Sequence, residues 1–278
     1  MELNDDDDRT TPRTVLGRRL RRERDDAGLS LRALADRLGY PHSYISRVER
    51  GKQLPSDDLA RALDTYFGTK GLFVELLEMA QDASIPGYSQ DFLSKEQHAI
   101  RIEVFTSSLI PGLLQTEHYA REMFQEGLPG ESGEEIDARI AIRMKRKRIL
   151  ARQEPPFYWA IMDEAALKRP TGNKSAMREQ LEHILRVAEN PHVTVQTVPF
   201  RAGLHPMPGG SLTLLTSADG GTIALVESFD SGEPVDSPKR IVGLQQRFNV
   251  ARTKALPEDE SLDLIRRYLK EYEDEQDS

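Results

Sequence analysis

The chain has 278 residues, of which 38% are hydrophobic and 30% are charged, and its formal net charge is −8. This length allows two domains of ordinary size, and the patterned apolar residues favour globular cores over disorder. The absence of cysteine excludes disulfides and thiolate zinc sites, and we predict no cofactor or metal. A polar N-terminus and the lack of a long apolar run argue against a signal peptide and a membrane span, so we expect a cytoplasmic protein.

The charge is unevenly distributed along the chain. Residues 9–56 contain 12 Lys/Arg against 5 Asp/Glu, a difference of +7, whereas the remainder is acidic. The negative net charge of the whole chain argues against indiscriminate binding to nucleic acid. The uneven distribution suits a protein that binds DNA through one basic face.

The first segment, residues 1–12, contains four consecutive aspartates and almost no apolar residues. We predict that it is a disordered acidic tail. A helix over residues 14–27 follows, with its arginines, including Arg24, on the outer face.

A pair of short helices comes next. Apolar residues recur at helical spacing in the first of them: Leu31, Leu34, Ala35 and Leu38. Ser30 is a suitable N-cap, Gly39 ends this helix, and Pro41 suits the first position of a second helix over residues 41–50. Two short helices joined by a tight glycine-containing turn form a helix-turn-helix unit.

Two further helices complete the head. Ser56 caps a fourth helix, which Gly68 ends, and the apolar residues 72–79 indicate a fifth. The sequence therefore predicts an all-α, five-helix head over residues 13–80.

The segment Y-I-S-R-V-E-R-G-K at residues 44–52, followed by Pro55 and Ser56, resembles the helix-turn-helix of the XRE family of phage-repressor-like regulators. The resemblance covers about residues 13–80. It implies a five-helix domain whose helix over residues 41–50 enters the DNA major groove.

Side chains opposite the buried face of that helix are the candidates for contacts with bases: His42, Ser43, Ser46 and Arg47. Arg47 is the strongest candidate, because a guanidinium group can pair with O6 and N7 of guanine. A second set is predicted to contact phosphates: Ser30, Arg32, Tyr44, Arg50 and Lys52. The alternative for each is an ordinary solvated position.

After a predicted linker at residues 81–95, residues 96–272 mix strands and helices. The predicted strands are residues 100–105, 157–162, 193–199, 211–216 and 222–228. The predicted longer helices are residues 134–153, 175–189, 235–255 and 261–272. This order indicates an α+β domain with a mixed or antiparallel sheet, followed by an acidic tail at residues 273–278.

This domain contains the segments I-P-G-L-L-Q-T-E-H-Y-A-R, R-I-A-I-R-M-K-R-K-R, M-D-E-A-A-L-K-R and H-V-T-V-Q-T-V-P-F. They resemble the domain that commonly follows this head in actinobacterial regulators and that is often described as antitoxin-like. The resemblance covers roughly residues 85–270. It implies a domain that senses a partner, often a small protein encoded nearby.

The helix over residues 134–153 is strongly basic from residue 139 onward. It could bind an acidic protein partner, extend the DNA-binding surface, or form a solvated face. We assign the partner contact to Arg143, Arg146 and Lys147.

An enzymatic site is the weaker hypothesis. Asp163, Glu164 and three histidines (His183, His192 and His205) could form a metal or hydrolytic site, but their spacing matches no ligand or nucleophile motif. Asp163 and Glu164 are better explained as caps of a short helix, and we expect no enzyme.

The sequence as a whole predicts a sequence-specific, DNA-binding transcriptional regulator. A homodimer is expected because one such unit contacts only a half-site of double-stranded DNA. The second domain would sense a ligand or a small acidic protein. The alternative is an antitoxin-like protein that mainly sequesters its partner.

Overall fold

The computed structural model describes residues 11–82, 87–228 and 231–274. These residues divide into two compact units, the first with residues 11–82 and 132–139, the second with residues 87–131 and 140–274. Residues 132–139 thus group apart from the rest of the predicted second domain. The predicted acidic tails lie almost entirely outside the described residues.

The five-helix head is confirmed. Its helices are α1 (Pro12–Asp26), α2 (Leu31–Leu38), α3 (His42–Glu49), α4 (Asp57–Phe67) and α5 (Leu72–Asp82). The Oγ of Ser30 accepts a hydrogen bond from the amide of Ala33 at 3.1 Å, and Gly39 ends α2 in the left-handed conformation at φ 73°. Pro41 immediately precedes α3 instead of forming its first residue.

One apolar cluster holds the five helices together. Its fully buried members include Leu16, Leu20, Leu34, Ile45, Val48, Leu59, Leu63 and Phe73. Helix α1 lies against the end of α3 at Gly17, where a Cβ would lie 2.5 Å from the carbonyl oxygen of Val48 and 2.7 Å from that of Glu49. Any side chain at Gly17 would push these helices apart.

The predicted exposure of Arg24 is wrong. Arg24 is only 8% exposed, because its guanidinium forms two bonds to the carboxylate of Glu49: Nε to Oε1 at 2.6 Å and Nη2 to Oε2 at 2.9 Å. Hydrogen bonding to Glu49 raises the pKa of Arg24. The pair joins α1 to the helix predicted to enter the major groove.

The chain beyond the head forms an α+β fold. Its helices are α6 (Gly87–Glu96), α7 (Glu117–Gly127), α8 (Gly133–Lys147), α9 (Ala165–Lys168), α10 (Lys174–Val187), α11 (Pro238–Lys254) and α12 (Glu258–Asp274). Its strands are β1 (Arg101–Thr106), β2 (Phe157–Asp163), β3 (Val193–Val198), β4 (Ser211–Thr216), β5 (Thr222–Glu227) and β6 (Gly232–Val235).

Within the described residues the strands form one mixed sheet in the order β3-β2-β1-β4-β5-β6. Strands β1, β2 and β3 pair in parallel, and β1, β4, β5 and β6 pair antiparallel. Of the two predicted kinds of sheet, mixed or antiparallel, the structure has the mixed one. Strand β6 was not predicted, because this short strand contains Gly232 and Pro234 and lacks an apolar alternation.

The two faces of the sheet belong to different cores. Alternate residues such as Val104 and Ala160 belong to one buried cluster, which also contains residues of α10 and α12. Their neighbours Phe105 and Ile161 share the opposite cluster with Phe248 of α11. Helix α11 therefore packs on one face of the sheet, while α10 and α12 belong to the other.

Several predicted boundaries differ in the structure. The basic helix ends at Lys147, where a 3-10 turn (Arg148–Ala151) replaces its predicted last part. The predicted linker at residues 81–95 is largely helical, since α5 extends to Asp82 and α6 begins at Gly87. Helix α11 begins at Pro238, not at residue 235. None of the helices in the described part of the chain has the length and apolar character that crossing a membrane requires.

Candidate DNA-binding surface

Helix α3 has a buried and an outward face. Its fully buried side chains are those of Ile45 and Val48. The outward face carries the four predicted base contacts: His42, Ser43, Ser46 and Arg47. The first two are exposed and the other two are half-buried. Because His42 and Ser43 form the first turn of α3, the structure places them at the end that contacts bases in helix-turn-helix proteins.

Arg47 is oriented by a residue that the sequence analysis missed. Its Nε donates to Oε1 of Gln53 at 2.7 Å. Within the described residues the guanidinium also interacts electrostatically with the carboxyl of Glu134. A guanidinium that is held at one nitrogen loses less conformational entropy on binding guanine. The sequence feature that could have indicated Gln53 is its position in the loop directly after the helix-turn-helix unit.

The predicted phosphate contacts fall into two groups. Arg32, Arg50 and Lys52 have exposed side chains, and the Nε of Arg50 donates to the carbonyl of Ser46 at 3.2 Å. The Oγ of Ser30 is occupied as the cap of α2. A phosphate near Ser30 would therefore be bound by backbone amides at the start of α2.

Tyr44 has a structural contact. It is half-buried, and its hydroxyl oxygen accepts a hydrogen bond from the amide of Ser56 at 2.8 Å. Because Ser56 caps α4, this bond links α3 to the start of α4. The hydroxyl of Tyr44 still has a proton with which to bind a phosphate.

The basic helix α8 does not present its predicted partner-binding side chains as a free surface. Arg146 forms a bidentate pair with Glu96, Nε to Oε2 at 2.8 Å and Nη2 to Oε1 at 2.9 Å, and the side chain of Glu96 is 2% exposed. Interaction with Glu96 raises the pKa of Arg146 despite its burial. The predicted contact with an acidic partner does not fit this arrangement.

Arg143 and Lys147 also have contacts within the second unit. The Nη1 of Arg143 donates to the side-chain oxygen of Gln115, and the Nζ of Lys147 donates to the backbone oxygen of Gln115. The side-chain amide of Gln115 donates to the carbonyl of Ile110 at 2.7 Å. Burial lowers the pKa of Arg143 to about 10 and also lowers that of Lys147. These cations hold the I-P-G-L-L-Q-T segment in place.

The residues of the hypothetical hydrolytic site are only partly brought together. Asp163 and His205 lie 3.0 Å apart, Oδ2 to Nε2. His183 instead lies beside Lys147, and His192 stacks on Phe157 with ring centroids 4.9 Å apart. No group of three or more metal-binding side chains occurs within residues 11–82, 87–228 and 231–274.

The acidic pair at the end of β2 has structural contacts. Asp163 Oδ1 accepts from the amide of Ala165 at 2.8 Å, at the start of α9. Glu164 accepts from the amide of Phe200 at 2.6 Å and from the hydroxyl of Tyr268 at 2.7 Å. Glu164 thereby joins α12 to the segment after β3, a role that its sequence position did not indicate.

Two family models match the sequence. A family described as Domain of unknown function (DUF5753) matches residues 89–267, and a Helix-turn-helix domain matches residues 15–77. Comparisons with curated proteins and with solved structures found no match. The second match coincides with α1–α5, which contain the surface described above.

Proposed function

Because the chain belongs to the family described as Domain of unknown function (DUF5753) and its first unit is a helix-turn-helix domain, we propose that it is a sequence-specific transcriptional regulator. The observation that supports this proposal best is Arg47 on the outward face of α3, where Gln53 holds its guanidinium through Nε. The +7 charge difference over residues 9–56 supplies attraction to phosphates.

In this proposal His42, Ser43, Ser46 and Arg47 contact bases in the major groove. Arg32, Arg50 and Lys52, with the start of α2, contact phosphates on either side. The protein acts as a homodimer, since one helix-turn-helix unit contacts one half-site. The second unit senses a ligand or a small protein partner and changes the spacing or geometry of the two heads.

Sequencing of the genomic DNA bound by the full-length protein tests the function. We expect a recurrent motif with two related half-sites, and we expect its occupancy to change when proteins encoded beside this one are removed. Uniform recovery of DNA together with stoichiometric capture of a small protein would instead favour the alternative, a protein that mainly sequesters its partner.

Arg47→Ala is expected to reduce sequence discrimination. Loss of a bidentate contact with guanine should weaken binding to the specific site by about 1–3 kcal/mol and leave binding to random DNA nearly unchanged. Competition binding with specific and random duplexes measures both. Arg22→Ala, which removes an exposed arginine of α1, is the matched control. Equal losses on both duplexes would assign Arg47 to a phosphate.

Lys52→Ala is expected to weaken binding to every duplex alike. Removal of one phosphate contact should reduce the slope of log affinity against log salt by about one unit. The affinities of wild type and variant for one duplex, measured over a salt series, give this slope. An unchanged slope would remove Lys52 from the phosphate contacts.

A further inference from the structure

The start of helix α8 belongs to the same compact unit as the helix-turn-helix head. This α8 segment, residues 132–139, groups with residues 11–82, whereas the chain on both sides of it belongs to the second unit. The first turn of α8 carries two adjacent carboxylates, Glu134 and Glu135. Ile136, which follows them, is only 4% exposed, so the segment is packed against protein.

The side chain of Glu135 caps its own helix. Its Oε2 accepts hydrogen bonds from the amide of Ser132 at 2.8 Å and from the hydroxyl of Ser132 at 2.9 Å. The hydroxyl oxygen of Ser132 in turn accepts from the amide of Glu135 at 3.3 Å. This capping box fixes where α8 begins and holds Glu135 against its own helix.

Glu134 instead lies among cations of the head. Its carboxylate interacts electrostatically with four of them: Arg13, Arg47, Lys52 and Arg50. Burial raises the pKa of Glu134, and the four cations act against this shift. Glu134 is accordingly half-buried, whereas its neighbours at 133 and 135 are exposed. Three of the four cations are predicted DNA contacts, one of them with a base and two with phosphates.

We propose that the α8 segment is autoinhibitory, with the carboxylate of Glu134 taking the place of a DNA phosphate beside Arg47, Arg50 and Lys52. The inference rests on the proposed function, since it concerns the regulation of the same surface. A duplex and Glu134 compete for these cations, because a carboxylate that stayed among them would repel an arriving phosphate. DNA therefore binds the fraction of the protein in which the segment has left the cations.

The position of the α8 segment in the chain connects this inhibition to the second unit. Helix α8 is continuous from Gly133 to Lys147, and its part after residue 139 belongs to the second unit. There Arg146 is paired with Glu96. A ligand or partner that displaces this part of α8 also withdraws Glu134 from the cations, and it thereby raises the DNA-binding fraction.

Glu134→Gln in the full-length protein tests the proposal, with Glu135→Gln as the matched control. Each variant removes one carboxylate from the same helical turn, and glutamine still completes the capping box with Ser132. At low salt we expect Glu134→Gln to bind the specific duplex about three- to tenfold more tightly than Glu135→Gln does. The same factor should hold for random duplex and should shrink as salt screens the charges. Equal affinities of the two variants would overturn the proposal.

A double-mutant cycle links the effect to the cations of the head. In protein that carries both Arg50→Ala and Lys52→Ala, the advantage of Glu134→Gln over Glu135→Gln should fall below about twofold, because the carboxylate has lost two of the cations that it occupies. An undiminished advantage would contradict the proposed competition for these cations.

Hydrogen exchange distinguishes a displaced segment from a carboxylate that only repels bound DNA. When the specific duplex is added to the full-length protein, we expect the amides of α3 to become protected. The amides of residues 135–139 should exchange faster, since the displaced segment loses its packing. If DNA protects these amides or leaves their exchange unchanged, the segment stays on the head and is not autoinhibitory.

Failure of the autoinhibition and failure of the regulatory function give different results in the same binding assays. If neither wild type nor Glu134→Gln prefers any sequence, the regulatory function is refuted and the autoinhibition with it. If both bind a specific duplex, with Glu134→Gln no tighter than Glu135→Gln, the autoinhibition alone is refuted.

Discussion

Glu49→Ala is expected to lower the free energy of unfolding of the head by about 3–5 kcal/mol, because it removes the buried carboxylate of the pair and leaves Arg24 with Asp25, whose side chain is 56% exposed, as its acidic partner. The two side chains are 10% and 5% exposed, and two hydrogen bonds join them. A loss of this size is a large fraction of the stability of a small domain. DNA binding should be lost with it, since Glu49 ends α3.

The only tryptophan, Trp159, lies in the second unit, so its fluorescence follows that unit, whereas far-UV circular dichroism follows the helices of both units. For Glu49→Ala we expect a helical transition at low denaturant that Trp159 does not follow. Asp36→Ala, which removes an exposed carboxylate of α2, is the control. Joint replacement with Arg24→Met and Glu49→Leu should recover much of the loss, because it removes both charges. If Glu49→Ala alone were as stable as wild type, the ion pair between Arg24 and Glu49 would not contribute to the stability of the head.

Arg146→Ala is expected to destabilise the second unit by about 3–5 kcal/mol. As with Glu49→Ala, the substitution removes one partner of a buried ion pair. The side chain of Glu96 is 2% exposed, and its carboxylate would lose both hydrogen bonds from the cation that neutralises it. Arg146→Glu should be more disruptive, because it places a second carboxylate beside the first.

Here the Trp159 fluorescence transition should shift to lower denaturant, and DNA affinity of the folded protein should stay near that of wild type. Lys145→Ala is the matched control, since it removes the neighbouring exposed cation of α8 and surface changes of this kind usually alter stability by less than about 0.5 kcal/mol. If Arg146→Ala matched Lys145→Ala, Arg146 would be a surface cation and the hypothesis of an acidic partner on α8 would return.

The helix-turn-helix unit was predictable because its signals are local. The cap at Ser30, the left-handed turn at Gly39 and the inward side chains Ile45 and Val48 all act within one or two helical turns. The outward face of α3 follows from the same periodicity. Gln53 was missed, because its contact with Arg47 depends on the path of the loop after α3.

Most strands of the second unit were also predictable, since β-branched content and apolar alternation are local properties. Their order in the sheet was not, because strand pairing joins segments far apart in the chain. The same limit of prediction from sequence applies to the charged side chains of helix α8. Its sequence indicates many cations, but not which of them face the domain interior.

The sequence by itself determined the five-helix head, its outward α3 face and an α+β domain after it. Only the tertiary structure decided which charges are paired within the fold: Arg24 pairs with a residue 25 positions away and Arg146 with one 50 positions away. The charge of a side chain can be read from its own position in the sequence. Its counter-ion is supplied by whichever helix or strand packs against it in the fold. A charged residue is therefore recognised as structural only when its non-local partner is known.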